Sequence, residues 1–156
     1  FKGVGRRLER LGERCEVIVL DDYAHHPSEI RAALDTARKM YTSARLIAVF
    51  QPHLFSRTRD FAEDFGVALA EADSVWVTDI FPARENPIPG VTGGTVAEAV
   101  QRAGGGHVCY VPELGDLPNL LTDELRAGDV LVTLGAGSID SLGRQVLDRL
   151  GERVHA

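Results

Sequence analysis

The chain has 156 residues, 44% hydrophobic and 26% charged, with a formal net charge of −6. A chain of this length buries roughly 68–70% of its unfolded surface, enough for one core without staples, and its composition excludes a disordered polypeptide. The acidic balance argues against nonspecific nucleic-acid binding, and no apolar run approaches the roughly 20 residues of a membrane helix.

Residues 1–14 mix Arg, Glu and Gly without leading into an apolar segment, so no secretory leader is expected. Cys15 and Cys109 stand far apart without C-x-x-C spacing, which fits two core thiols in a reducing, cytoplasmic setting. The chain opens on Phe1 and reads as a piece of something longer. Residues 1–70 carry 11 basic and 10 acidic side chains, whereas residues 71–156 carry 6 and 13. The arginines near the motifs described below therefore lie in the half better suited to an anionic ligand.

In chain order, Arg6–Leu11 is expected as an edge strand, paired antiparallel with Cys15–Leu20 through a turn at Gly12-Glu13-Arg14. Ser28–Tyr41 then places Ile30, Leu34, Ala37 and Tyr41 on one helical face. Arg45–Phe50 follows as a strand, and Thr58–Ala70 as a helix with Phe61, Phe65, Ala68 and Leu69 inward. Ser74–Thr78, His107–Val111 and Asp129–Leu134 are further strands. Thr95–Ala103, Leu117–Arg126 and Ser138–Leu150 are further helices. Strands apolar on both faces are those of parallel sheets covered on both sides. The order predicts an α/β fold, a doubly wound Rossmann-like domain. Its sheet is mostly parallel, of about six strands, with one antiparallel strand near the N-terminus.

In such sheets ligands bind beyond the carboxyl ends of the strands. Four loops there hold the unusual residues: 21–27 (DDYAHHP), 51–58 (QPHLFSRT), 79–85 (DIFPARE) and 135–138 (GAGS). In the first, Asp22 or His26 can cap a helix opened by Pro27, or the carboxylates, Tyr23 and imidazoles can face a ligand. An imidazole there can take a proton from an amine. His25, His26, His53 and Asp22 lack H-x-x-x-H or H-E-x-x-H spacing, so no metal site is expected. Arg57 and Arg59 stand at a helix start, where basic groups are disfavoured, and this favours an anionic partner. Gly135-Ala136-Gly137-Ser138 serves equally as an anion cradle or a tight turn. No G-x-x-x-x-G-K-[ST] loop is present, so ATP phosphates would be held elsewhere.

The segments DDYAHHPSEI (21–30), VFQPHLFSRTRDF (49–61), DIFPARENPIPGVTG (79–93) and LGAGSI (134–139) resemble the UDP-N-acetylmuramate–L-alanine ligase family of Mur ligases. The resemblance runs from Phe1 to about Leu150 and is to the C-terminal domain. It implies that residues 1–156 form one domain, the third of three, with the UDP-binding and ATPase domains absent. It also implies an ATP-dependent amide ligase of peptidoglycan synthesis in the bacterial cytoplasm. The carboxylate of UDP-N-acetylmuramate becomes an acyl phosphate, which the amine of L-alanine attacks. ATP and Mg2+ would be held mainly by the central domain, and this chain would close over the nucleotide beside its own N-terminal and central domains.

Carried over by position, the resemblance places Tyr23 against the nucleotide and Asp22 near its ribose. His25 contacts the alanine as the catalytic histidine, and Arg57 holds the alanine carboxylate. His53 and Ser138 shape the same pocket. Leu54 stands where many members have Arg, and Phe81 where Tyr is frequent. Sibling ligases adding diaminopimelate or lysine share the DYAH-type turn, and the murein-peptide recycling ligase shares the double histidine. Neither pairs that turn with FQPH and SRT. A noncatalytic α/β ligand-binding module is the alternative from another class.

Overall fold

In a computed structural model of the chain, residues 7–154 are described. They form a six-stranded sheet in the order β1-β2-β6-β3-β4-β5. The strands are β1 (Glu9–Arg14), β2 (Val17–Asp22), β3 (Arg45–Phe50), β4 (Ser74–Val77), β5 (His107–Tyr110) and β6 (Asp129–Leu134). The helices are α1 (Pro27–Met40), α2 (Phe55–Leu69), α3 (Gly93–Arg102), α4 (Leu117–Glu124) and α5 (Leu142–Val154). Only β1 runs antiparallel, against β2, and every other pairing is parallel.

Strands apolar on both faces need helices on both faces, and two separate cores supply them. One face gathers Leu20, Ala48, Phe50, Val77 and Val132 under Ile30 and Leu34 of α1, Phe65 of α2 and Val100 of α3. The opposite face gathers Val19, Ile47, Val49 and Leu131 under Leu121 of α4 and Val146 of α5. In β3 every residue from Leu46 to Phe50 is at most 1% exposed, as a central strand covered twice must be.

Three local expectations are corrected. The hairpin turns at Cys15-Glu16, both with left-handed φ (53° and 61°), not at Gly12-Glu13-Arg14. That two-residue turn matches the twist of the paired strands. Gly12 instead lies within β1, at a register shift, where a Cβ would come 3.1 Å from Leu147 of α5. Arg6, expected to open this strand, lies outside the described residues. Second, α2 begins three residues before Thr58, which puts Ser56 and Arg57 in its first turn. Third, Phe61 is not part of the core. It leaves helical geometry (φ −117°, ψ 16°), is 39% exposed and sets its ring edge-on to His26 at 6.2 Å.

Candidate active site at the carboxyl edge of the sheet

After β5 the chain reverses and returns β6 between β2 and β3. The loops leaving β2 and β3 therefore feed helices on one face, while the loop leaving β6 feeds α5 on the other. The crevice at such a reversal is where this architecture binds ligands. The four motif loops meet there.

Asp22 closes β2 with both carboxylate oxygens engaged. Oδ1 accepts the Ala24 N–H and Oδ2 the Leu8 N–H, each at 2.8 Å. Burial pushes this carboxyl up from its ordinary value, against the pull of those two donors. The side chain thus shapes the turn and ties the N-terminal segment to it. Next to it opens a cleft of about 550 Å³, lined by Arg7, Asp22, Tyr23, His25, Glu29 and Thr36 among others. Tyr23 is 40% exposed and meets the His25 ring edge-on at 5.2 Å.

His25 is oriented from two sides. Its Nδ1 lies 3.0 Å from the Tyr23 carbonyl oxygen, an acceptor only, so in the neutral ring Nδ1 carries the proton. Nε2 is left with its lone pair. Glu29 Oε1 accepts the N–H groups of His25 (2.9 Å) and His26 (3.1 Å), and lies 3.5 Å from His25 Nδ1. Burial works to raise the Glu29 carboxyl, but these donors and the histidine charges outweigh it and hold it below its ordinary value. His26 is the N-cap of α1 in a capping box with Glu29. The adjacent histidines therefore divide their tasks: one caps the start of a helix and the other faces the cleft.

The loop after β3 brings His53 to 6.0 Å from His25, ring centre to ring centre. His53 stacks on Phe81 at 5.5 Å and 23°, held there by a short bridge between the two backbones. Burial, then the charges of Arg57 and His25, lower its pKa. Among the described residues two buried side-chain polar atoms lack a hydrogen-bond partner, His53 Nδ1 and Arg57 Nη1. Buried polar groups are nearly always paired, and an orphan marks strain or an absent partner. Arg59 does not join them, since it is exposed and paired with Asp60 at 2.9 Å. Leu54, between His53 and α2, is held at φ 74°, ψ 136°, a region that branched side chains avoid. Its N–H donates to the Phe81 carbonyl, and its own carbonyl accepts from Thr58 N and Oγ1.

Ser138 reaches the same shelf through Gln51. Gln51 Nε2 donates to Ser138 Oγ (3.0 Å), and its Oε1 accepts the Ile139 N–H (3.1 Å). One N–H that an anion cradle would offer is thereby occupied, and Gln51 clamps the turn through both ends of its amide. A Cβ on Gly137 would stand 2.6 Å from Phe81 Cγ and 2.8 Å from Gln51 Oε1, which explains the glycine.

The expected residues therefore fall into two neighbouring groups that share His25. Asp22 and Tyr23 border the cleft, while His53, Arg57 and Ser138 surround the Phe81 shelf. Sequence reasoning missed Gln51 and Glu29 as organisers, although both stand inside the motifs and Glu29 has capping-box spacing. It also missed Glu85, whose partner Ser56 is 29 residues away, a distance at which no local pattern operates.

With this geometry in place, comparison with known proteins decides the family. Residues 6–137 match the family described as Mur ligase, glutamate ligase domain. The chain belongs to the Mur ligases. It is 56% identical over 144 residues to the UDP-N-acetylmuramate–L-alanine ligase of Cutibacterium acnes, covering 92% of this chain and 30% of that protein. To the enzyme of the same name from Streptomyces avermitilis it is 46% identical, covering 98% and 33%. The chain thus spans about a third of the length of these curated relatives. Among solved structures, the UDP-N-acetylmuramate–alanine ligase of Thermotoga maritima superposes with a TM-score of 0.79 at 27% identity, over 98% of this chain and 31% of that one. A murein peptide ligase from Psychrobacter arcticus shares the fold at a TM-score of 0.77 and 24% identity, over 97% and 31%.

Proposed function

We propose that this Mur ligase chain is the third and C-terminal domain of an ATP-dependent ligase joining L-alanine to UDP-N-acetylmuramate in the bacterial cytoplasm. The observation that carries the reading is the pair of buried, partnerless atoms, Arg57 Nη1 and His53 Nδ1, on residues near enough for the Arg57 charge to lower the His53 pKa. A carboxylate satisfies both, since guanidinium donates to it and a neutral imidazole with its proton on Nδ1 donates as well. Alanine's carboxylate anchored there places its amine toward His25.

In this reading His25 Nε2 takes the proton that the ammonium must lose before it can attack. The amine nitrogen then bonds to the acyl-phosphate carbon, the carbon–oxygen bond to phosphate breaks, and the phosphate leaves with the second amine proton as hydrogen phosphate. Tyr23 borders the nucleotide in the adjoining cleft, and Asp22 supports the turn that holds it near the ribose. Ser138 and Gln51 border the Phe81 shelf on which His53 stacks. Closure of this edge over ATP would keep water from the acyl phosphate.

Among the described residues no group of three or more His, Cys, Asp or Glu side chains is placed to hold a metal ion. The reading assigns ATP phosphates and Mg2+ to parts of the protein beyond these residues, in keeping with a sequence that has no phosphate loop. By itself, the 156-residue chain is then expected to turn over no ATP. Among the described residues no helix is long and apolar enough to cross a membrane, and the proposed substrates are water-soluble.

The test is ADP release by the full-length protein with UDP-N-acetylmuramate, offering L-alanine, D-glutamate and diaminopimelate in turn. Release that depends on L-alanine supports the reading. Release with another amino acid moves the protein to a sibling step, and silence with all three revives a noncatalytic ligand-binding module.

A further inference from the structure

Helix α2 begins in an unfavourable way. Its N-cap, Leu54, offers no side-chain acceptor, its first turn holds no acidic residue, and that turn carries Arg57. A cation and unpaired N–H groups at a positive helix end oppose helix formation. The missing negative charge comes from the loop after β4. Glu85 Oε1 accepts the Ser56 N–H at 3.0 Å, and Oε2 accepts the Ser56 hydroxyl. The carboxyl is held below its ordinary value by the Ser56 hydroxyl first, then by the Ser56 and Phe55 N–H groups.

Both carboxylate oxygens are thus occupied by the start of the helix, while Arg57 Nη1 keeps no partner. Glu85 stabilises the turn that carries Arg57 without neutralising its guanidinium. The neighbouring contacts bind the same loop to the same turn: Leu54 N–H donates to the Phe81 carbonyl, and the Phe81 N–H to the Pro52 carbonyl. The direction in which Arg57 leaves the helix is therefore set by a loop from another strand.

We infer that Glu85 is a positioning residue, which fixes the first turn of α2 so that Arg57 presents an open guanidinium to the carboxylate of the incoming amino acid. The inference rests on the proposed role of Arg57. Arginine recognition of a carboxylate depends on two parallel hydrogen bonds, so a small change in helix start costs more than distance alone would. Gln in place of Glu85 keeps the shape but loses the charge that secures the Ser56 hydroxyl and opposes the unfavourable helix end.

The experiment uses the full-length protein and four forms: wild type, Glu85→Gln, Arg57→Ala and the double variant. For each, KM for L-alanine, KM for ATP, kcat and the thermal midpoint are measured. Glu85→Gln is expected to raise KM for L-alanine about ten-fold, with KM for ATP and kcat within about twofold of wild type. In the Arg57→Ala background the same change should add less than about twofold, because the residue it acts through is gone.

An unchanged KM for L-alanine in Glu85→Gln, with Arg57→Ala raising it, overturns the inference and leaves the role of Arg57 standing. Equal multiplication of KM in both backgrounds also overturns it, since Glu85 would then act by another route. Parallel losses in kcat, both KM values and thermal midpoint mark a purely structural role and overturn it too. If Arg57→Ala itself leaves KM unchanged for every amino acid, the reading of the site fails first and the inference falls with it. Ser56→Ala supplies an independent check that spares the carboxylate, and it should reproduce the direction of the KM change.

Discussion

Two arginines flank β3, and their surroundings are opposite. Arg45, at its amino end, donates from Nε and Nη2 to the two oxygens of Asp129 at 3.1 and 2.7 Å, and from Nη1 to Glu124 at 3.2 Å. Its Nη2 also reaches the Glu124 carbonyl. The hydrogen bonds to Asp129 outweigh desolvation and hold the guanidinium still further above its ordinary value. Arg57, at the carboxyl end, has a buried Nη1 with no partner at all. Sequence and burial class do not separate the two, for both are half-buried. Saturation of the guanidinium does. Arg45 is completed by its own chain, whereas Arg57 keeps an unpartnered Nη1 and has its helix turn secured instead, as the proposed ligand role requires.

That contrast breaks most visibly at Arg57. In the full-length protein, Arg57→Ala should lower kcat/KM for L-alanine by about 2–4 kcal/mol of transition-state binding. In the 156-residue chain the same change should move folding stability by at most about 0.5 kcal/mol, because the buried Nη1 has no hydrogen-bond partner to lose. A large fall in the urea midpoint with intact amino-acid use would make Arg57 the structural arginine of the two.

Asp129→Ala is the converse. Its side chain is 5% exposed, it accepts from Arg45 twice and it also caps the Arg126 N–H at 2.8 Å. Its removal should cost about 2–3 kcal/mol, a value discounted because Arg45 keeps solvent contact. Urea unfolding with an unchanged m-value checks this. A loss under about 0.5 kcal/mol would mean that the amino-end network is ornamental.

Gly137→Ala sharpens the picture of the shelf. The added methyl meets Phe81 and the Gln51 amide, neither free to retreat without loosening His53 or Ser138. A cost of about 1–2 kcal/mol is expected, with weaker amino-acid use, whereas wild-type stability would show that the shelf yields easily.

The smallest effect is the pH dependence of His53. Burial and the charges of Arg57 and His25 place its folded pKa below the ordinary 6.5, so the fold favours the neutral ring. Its contribution is fully present above about pH 6.5 and is lost as pH falls through the lower folded value. The His53→Gln chain should therefore lose less stability than wild type between about pH 7 and pH 5. Parallel curves for the two chains would mean that the ring is not held neutral.

Local pattern was enough for much of this molecule. Ile30, Leu34 and Ala37 are buried where helical spacing put them, as are Ile139, Leu142, Val146 and Leu150. The runs from Leu46 to Phe50 and from Asp129 to Leu134 are apolar on both faces because helices cover both. Pattern failed where a residue's partner is distant. Gly12 looked like a turn and is a contact for Leu147. Phe61 fits the inward stripe of α2, yet the helix breaks at that residue and its ring turns to His26.

The residues of the candidate site were likewise readable as motifs, one loop at a time. Their division of labour was not. Glu85 meets Ser56 across 29 residues because β4 pairs with β3, and Gln51 meets Ser138 across 87 because β6 returns to pair with β3 on its other side. The sequence by itself determined the alternation of strands and helices, the parallel sheet and the four loops rich in chemistry, since these follow from hydrophobic period and turn residues. Only the tertiary structure decided which arginine is saturated and which carboxylate holds the other arginine's helix. Those outcomes depend on hydrogen-bond partners that meet solely through the strand order.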